Sequence, residues 1–253
     1  MTTNSRSTLA LTLLVAGILA AAPADALTLT LFTEESPPFN YMEKGKLVGA
    51  ATEIVLDMAT RASIPVKTDV LPWDKAYVRA QGERDTCLFS TARLENRERL
   101  FLWVGPIATN VWAVYGKSDF APTIRAVKDL SLYRIGTVLR DPKNDFLRDN
   151  AVTDLRPARD DGLNPPRLFL PREDPDHIDL WITGLHSGRD MAKAAKVPEL
   201  KLVFVANEQP MFLACNPQTD RRIVKALADA LESMKADGSF KRITADYEKR
   251  FAR

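Results

Sequence analysis

The feature that most constrains the fold is the alternation of short apolar stretches with stretches of helical periodicity along the chain. Short apolar runs bounded by turn-forming residues are typical of buried strands, whereas apolar residues three and four positions apart indicate helices. The predicted strands are 27–32, 66–71, 86–89, 111–114, 134–139, 178–182 and 200–205, and helices are predicted from Thr52, Trp73 and Ile124 onwards. Strands that alternate with helices form βαβ units, so the sequence predicts an α/β fold with a mostly parallel sheet.

The end of the chain is predicted to form two helices. The segment opens at a capping residue, Thr219 or Asp220, and ends at Asp237-Gly238, which breaks a helix. Its apolar stripe consists of Ile223, Leu227, Leu231 and Met234. A last helix follows from Ser239. Farther upstream, the proline-rich and charged segment 164–175 is predicted to be a surface insertion.

The N-terminus has the pattern of a cleaved secretory signal. Arg6 precedes the apolar run Leu9 to Ala22, and Ala24-Asp25-Ala26 supplies small residues where a signal peptidase cuts. An uncleaved membrane anchor is the alternative, but the run is short for a membrane span and no positive flank follows it. We therefore expect residues 1–26 to be removed and the mature chain to begin at Leu27 in the periplasm.

Composition excludes several function classes. The formal net charge is +2, with acidic and basic residues interspersed, so no nucleic-acid-binding stripe or membrane-binding face is indicated. No later apolar run is long enough to span a bilayer. The remaining chain is long enough for one large domain or for two lobes with separate cores.

A candidate ligand site follows the strand at 86–89. This apolar stretch runs into the hydroxyl side chains of Ser90 and Thr91, and open α/β sheets bind ligands at the carboxyl ends of their strands. Arg97 follows a few residues later, and arginine is the side chain best shaped to bind a carboxylate with two hydrogen bonds. The sequence therefore indicates an anion site at this strand end.

Several segments together resemble the periplasmic substrate-binding proteins of family 3, the amino-acid-binding proteins of ABC importers. The stretch S-T-A-R-L-E-N-R-E-R-L-F-L-W-V-G-P resembles the family's "T-x-x-R … F-S/V-x-P" segment. Similar matches are T-E-E-S-P-P-F-N-Y, K-G-K-L-V-G, L-S-L-Y-R-I-G-T-V and K-A-D-G-S-F-K-R-I-T-A-D-Y. The resemblance covers nearly the whole mature chain.

The resemblance implies a fold and a function. Two α/β lobes of the type II periplasmic-binding-protein class would be joined by two crossover strands and would close over a cleft. We expect lobe 1 at 27–116 plus 210–253 and lobe 2 at 117–209, with crossovers near 116–118 and 208–210. The implied protein is a monomer without cofactor or metal, which captures an amino acid or related carboxylate-bearing solute and passes it to a membrane permease.

The resemblance also assigns residues of lobe 1. Arg97 matches the arginine that binds the ligand carboxylate, with Arg93 and Arg99 as less favoured alternatives, and Ser90 matches a hydroxyl that bonds the ligand. For two aromatic residues a packing role is equally consistent with the sequence: Phe39, at a motif position, and Trp73, which would form an aromatic wall.

One departure from the family concerns the ligand's amino group. Family members that bind α-amino acids place an aspartate after a lobe 2 strand, but the matching position here is about Gly184, next to Thr183. Either Glu34 or Glu35 replaces that acid, or the ligand is another small carboxylate-bearing solute. Arg140, after the strand at 134–139, lies where lobe 2 contacts the ligand, or in a solvated turn.

Two cysteines remain in a compartment that permits disulfides. Cys87 and Cys215 both lie in apolar, strand-like runs, and two buried free thiols are one interpretation. The resemblance implies the other, in which the strand 211–215 lies beside the strand 86–89 and the two cysteines form a disulfide. A register slip of one residue would point the side chains to opposite faces.

Enzymatic and sensory functions remain alternatives. Cyclohexadienyl dehydratases share the fold, and Glu34 and Glu35 are candidate acid–base groups, although adjacent acids in a loop are weak evidence. His177 and His186 show no metal-ligand spacing, and no G-x-S-x-G or H-E-x-x-H motif is present. We therefore expect a binding protein without catalytic residues, and a sensor for a membrane receptor would use the same binding physics.

Overall fold

The structure is a computed structural model that describes residue 1 and residues 28–251. The expected signal peptide, with Ala24-Asp25-Ala26, therefore lies outside the described residues. Within 28–251, none of the helices has both the length and the apolar character needed to cross a bilayer.

The described chain contains ten strands and seven α-helices. The strands are β1 (Leu29–Thr33), β2 (Tyr41–Glu43), β3 (Lys46–Val48), β4 (Val66–Val70), β5 (Thr86–Ala92), β6 (Leu102–Lys117), β7 (Ile135–Val138), β8 (Leu155–Ala158), β9 (Leu180–Gly184) and β10 (Leu200–Cys215). The helices are α1 (Ala50–Arg61), α2 (Trp73–Gly82), α3 (Pro142–Asp149), α4 (Asn164–Arg167), α5 (Leu185–Ala194), α6 (Arg221–Ala236) and α7 (Ser239–Phe251). Strands β2 and β3 form a hairpin, and the other eight form one sheet.

The sheet is parallel at both ends and antiparallel in the middle. Its strand order is β4-β1-β5-β10-β6-β9-β7-β8, with parallel pairs at β4-β1-β5 and at β9-β7-β8. The expectation of a mostly parallel sheet is wrong at its centre, because β10 pairs antiparallel with both β5 and β6, and β6 pairs antiparallel with β9. The two crossover strands are thus part of the same continuous sheet.

Strands β6 and β10 connect the two lobes. Each is 16 residues long, and the two pair with each other along their length. One end of β10 pairs with β5 in lobe 1, whereas Trp112–Tyr115 of β6 pairs with β9 in lobe 2. The two-lobed fold with two crossover strands is confirmed. The limits of the lobes remain a proposal. Because β6 already pairs with a lobe 2 strand at Trp112, its pairing favours a chain that passes from lobe 1 to lobe 2 before Trp112 rather than at 116–118.

Each lobe has its own apolar core. In lobe 1, α1 and α6 cover the sheet with side chains such as Ile54, Met58 and Leu227, all nearly inaccessible to solvent. In lobe 2, a separate cluster contains Ile135 and Ile182. Because α6 has its apolar stripe on one face, it forms as predicted, and the Asp220 side chain accepts a hydrogen bond from the Arg222 amide at its N-cap.

Several elements differ from the sequence prediction. The predicted strands at 111–114 and 200–205 are segments of the long crossover strands, and β8 was not predicted. The segment from Ile124 is a 3-10 helix at Val127–Leu132 rather than a longer helix. The expected surface insertion at 164–175 begins with α4, where Asn164 is fully buried and donates to the Thr137 carbonyl.

Candidate functional site

A polar cavity lies between the lobes, against one face of the crossover strands. Lobe 1 contributes Glu34, Glu35, Ser36, Trp73, Ser90 and Ala92, the crossover strands contribute Asn110, Trp112, Gln209 and Met211, and lobe 2 contributes Val138, Asp141, Pro142, Lys143, Asp161, Thr183 and Gly184. Its volume is about 40 Å³. A single buried water needs at least roughly 10–15 Å³, so a solute larger than a few waters requires the lobes to move apart.

The loop after β1 carries Glu34 into this cavity. Two amides at the start of α1, those of Ala51 and Thr52, donate to the Phe39 carbonyl, and the Asn40 side-chain amide donates to the Glu34 carbonyl over 2.6 Å. Gly49 has φ 127°, and a Cβ at this position would collide with the Phe39 carbonyl. Glycine is therefore required here, and the loop is fixed against α1.

The Glu34 carboxyl group is buried near other acidic side chains. Burial raises its pKa well above the usual 4.5, the Asp141 carboxylate raises it further, and Lys143 partly opposes the shift. No donor within residues 28–251 hydrogen-bonds this carboxyl group. Glu35 lines the outer part of the cavity and accepts the Met42 amide over 3.1 Å, and burial also raises its pKa.

Lys143 is the cation in the cavity wall. Asp141 caps α3 by accepting the Lys143 amide over 2.7 Å, and the Lys143 ammonium group bonds the same carboxylate at 2.8 and 3.0 Å. Burial alone would lower the pKa of Lys143, but the Asp141 and Asp161 carboxylates outweigh that effect and raise it. The ammonium group also lies 5.5 Å from the centre of the Trp112 ring.

Asp161 supplies an acid on the lobe 2 side. Its carboxylate accepts hydrogen bonds from Trp181 Nε1 at 2.7 Å and from Thr183 Oγ1, while burial raises its pKa and Lys143 opposes the rise. At Gly184, an added Cβ would lie 2.9 Å from both the Asn110 Oδ1 and Ser187 Oγ atoms. A side chain at this position would have to displace the Asn110 or Ser187 side chain, and the acid on the lobe 2 side of the cavity is Asp161, in a different loop.

Arg97 does not line the cavity. It lies in the 3-10 helix Glu95–Leu100, is 4% exposed, and packs with its guanidinium carbon 4.9 Å from the centre of the Tyr77 ring. Its Nη2 donates to the Arg140 carbonyl at 3.0 Å, as does Trp73 Nε1, and these bonds join the two lobes. The Arg97 Nη1 group is buried without a partner. Arg140 thus contributes a backbone carbonyl, with its side chain exposed.

The other predicted site residues divide between cavity and core. Ser90 and Trp73 line the cavity, and Ser90 donates to Asn40 Oδ1. Thr91 is fully buried and donates to the Leu88 carbonyl, while Phe39 packs against the lobe 1 core, away from this cavity. Glu34, Glu35, Thr183 and Gly184 all line the cavity.

Sequence reasoning missed several cavity residues. Asp161 lies in the motif D-D-G directly after β8, a strand that was not predicted, and Lys143 follows a proline at the first turn of α3. Asn110 and Trp112 alternate along the crossover strand β6. The polar motif after a strand could have identified Asp161, and the alternation of a polar and an aromatic residue two positions apart could have identified Asn110 and Trp112.

Cys87 and Cys215 lie opposite each other on β5 and β10 and are joined by a disulfide. Both are fully buried in the lobe 1 core. The bond links the strand next to β1 with the returning end of the second crossover strand, across 128 residues of sequence.

Comparison with known proteins identifies the family. The model of the bacterial extracellular solute-binding proteins, family 3, matches residues 29–250. The chain belongs to this family. A search of curated proteins finds no match.

Solved structures show the same fold at low sequence identity. A histidine kinase sensor domain similar to periplasmic binding proteins aligns with TM-score 0.77 and 16% identity, over 87% of this chain and 95% of that one. An ancestral arginine-binding protein aligns with TM-score 0.75 and 19% identity, over 87% of this chain and 98% of that one. The ancestral amino acid-binding protein AncCDT-1, a precursor of cyclohexadienyl dehydratase, aligns with TM-score 0.72 and 19% identity. The alignment covers 89% of this chain and 96% of that one.

Proposed function

We propose that the protein is a periplasmic solute-binding protein that captures a small, positively charged amino or guanidino solute and passes it to an ABC importer. The observation that carries the proposal is the charge of the cavity. Four carboxyl groups line it, those of Glu34, Glu35, Asp141 and Asp161, against one lysine that is already paired. The carboxyl group of Glu34 has no hydrogen-bond donor within residues 28–251.

A cation entering this cavity supplies the hydrogen-bond donor that the Glu34 carboxyl group lacks. Hydrogen bonds to charged groups each contribute roughly 1.5–3 kcal/mol, and the low local dielectric strengthens them. The rings of Trp73 and Trp112 add surfaces that favour a cationic or apolar part of a ligand. An ancestral relative of the same fold binds arginine, which is consistent with such a ligand.

A ligand carboxylate has fewer partners here. Lys143 is paired with Asp141, and Arg97 bonds the Arg140 carbonyl. Arg97 anchors a carboxylate only if it exchanges that carbonyl for the ligand, and its Nη1 group is buried without a partner. We therefore keep the carboxylate as an optional part of the solute and the cation as the required part.

A thermal-shift screen tests the proposal. The mature chain is refolded free of ligand and screened with arginine, lysine, agmatine, citrulline, glutamate and succinate, because a binder raises the apparent stability. We expect cationic compounds to raise the unfolding temperature most. Stabilisation by glutamate or succinate alone would contradict the proposal.

A second candidate function rests on Glu34. Its raised pKa suits a general acid, so a dehydratase resembling the cyclohexadienyl enzymes remains the alternative. Turnover of prephenate or arogenate that disappears in Glu34→Gln would favour the enzyme. The third role, a sensor for a membrane receptor, differs in its partner, which gene neighbourhood would reveal.

A further inference from the structure

A second, larger cavity lies on the opposite face of the crossover strands. Successive side chains of a strand point to opposite faces. Asn110 and Trp112 of β6 line the cleft cavity, whereas Thr109 and Val111 line the second cavity. On β10, Gln209 faces the cleft cavity and Glu208 faces the second one. We call this second space the hinge-back cavity.

The hinge-back cavity has the size and lining of a small-molecule site. Its volume is about 430 Å³. Ligand pockets typically have volumes of roughly 300–1,000 Å³ and mainly apolar walls. The apolar wall consists of Phe39, Ala50, Ile107, Val111 and Phe240. Tyr247 also lines it, but its hydroxyl already donates to Glu53 and accepts the Gly49 amide.

The free polar groups of the hinge-back cavity are all able to accept hydrogen bonds. The carboxylates of Glu208 and Glu248 make no hydrogen bond or ion pair within residues 28–251, and no lysine or arginine belongs to the lining.

We propose that the hinge-back cavity is a second ligand site, distinct from the cleft, for a small hydrophobic amine. The apolar body lies against Phe39, Val111 and Phe240. The ammonium group pairs with Glu208 or Glu248, whose carboxylates accept its hydrogen bonds. An anionic molecule of the same shape is excluded by the two carboxylates, and a neutral one loses the charge-assisted bonds.

Calorimetry on the mature chain with phenethylamine, 2-phenylethanol and phenylacetate tests the site. We expect phenethylamine to bind, the alcohol to bind at least tenfold more weakly, and phenylacetate not to bind. Val111→Trp fills the cavity and should abolish phenethylamine binding, whereas Val205→Trp, at an exposed position of β10, should leave it unchanged.

Further variants separate the two cavities and guard against misfolding. Glu208→Gln with Glu248→Gln changes exposed side chains and should weaken phenethylamine at least fivefold, with Glu199→Gln as the control. Phenethylamine held in the cleft instead would be weakened by Glu34→Gln and retained by Val111→Trp. The proposal is overturned if phenethylamine does not bind, if the two glutamine substitutions have no effect, or if Glu34→Gln abolishes binding while Val111→Trp retains it.

Discussion

Replacing Lys143 with methionine should destabilise the protein far more than removing a comparable surface lysine. The Lys143 and Asp141 side chains are only 10% and 7% exposed, and their closest contact is 2.8 Å. Methionine keeps much of the side-chain length but leaves the Asp141, Glu34 and Asp161 carboxyl groups without their common cation. The Lys143 backbone amide still caps α3, so the substitution removes the charge and not the cap.

The expected magnitude follows from burial. Removing one partner of a buried ion pair costs about 3–5 kcal/mol, because the remaining charge is uncompensated. Since the acids can take up protons, we expect the lower end, about 3 kcal/mol, at pH 7. The matched control is Lys225→Met, whose pair with Asp229 is 2.6 Å long but 74% and 63% exposed, so its loss should cost at most about 1 kcal/mol.

The stability that Lys143→Met loses should depend on pH in a definite direction. Carboxyl groups whose pKa is raised in the folded state bind more protons folded than unfolded, so their contribution to stability falls as pH rises. Without Lys143 this effect grows, and the deficit of Lys143→Met should be larger at pH 8 than at pH 5.5. Urea unfolding of both variants measures it. Equal losses in the two variants, or a deficit that shrinks with rising pH, would refute the reasoning.

Three further predictions concern the disulfide, the cleft acid and the lobe contact. Thiol titration of the denatured, unreduced mature protein should find no free thiol, and replacing Cys87 and Cys215 with alanine should cost about 2–4 kcal/mol in urea unfolding. A cationic solute favours ionised Glu34, so binding should release protons and should weaken as pH falls through the raised pKa of Glu34; calorimetry in two buffers detects this, and Glu34→Gln should abolish it. Arg97→Ala removes the bond to the Arg140 carbonyl that joins the lobes, so it should weaken solute binding in calorimetry, whereas Arg93→Ala breaks only a pair with Glu98 and should do so less.

Locally determined features could be predicted from the sequence. Helix α6 follows from its apolar stripe and from Asp220, because both the stripe and the cap are set by neighbouring residues. The strand at 86–89 was likewise visible as a short buried run, but β5 continues to Ala92, so Ser90 and Thr91 lie within it and not after it. The family resemblance supplied the lobes and the pairing of β5 with β10.

Features that depend on tertiary contacts could not be predicted. Pro106 and Pro210 lie within β6 and β10, and proline within a run normally argues against a strand, so the continuity of the crossover strands was hidden. Asp161 and Lys143 are 18 residues apart in the sequence and meet only in the folded lobe. Charged residues are ordinarily exposed, and here the ion pair of Lys143 with Asp141 and the hydrogen bonds that Asp161 accepts override that tendency.

The measurement that tests the central claim most directly is calorimetric titration of the strongest hit from the solute screen into wild-type protein, Glu34→Gln and the control Glu199→Gln. The account predicts that this hit carries an ammonium or guanidinium group. It also predicts at least tenfold weaker binding in Glu34→Gln and unchanged binding in Glu199→Gln. A strongest ligand without a cationic group, or a Glu34→Gln protein that binds as tightly as wild type, would contradict it.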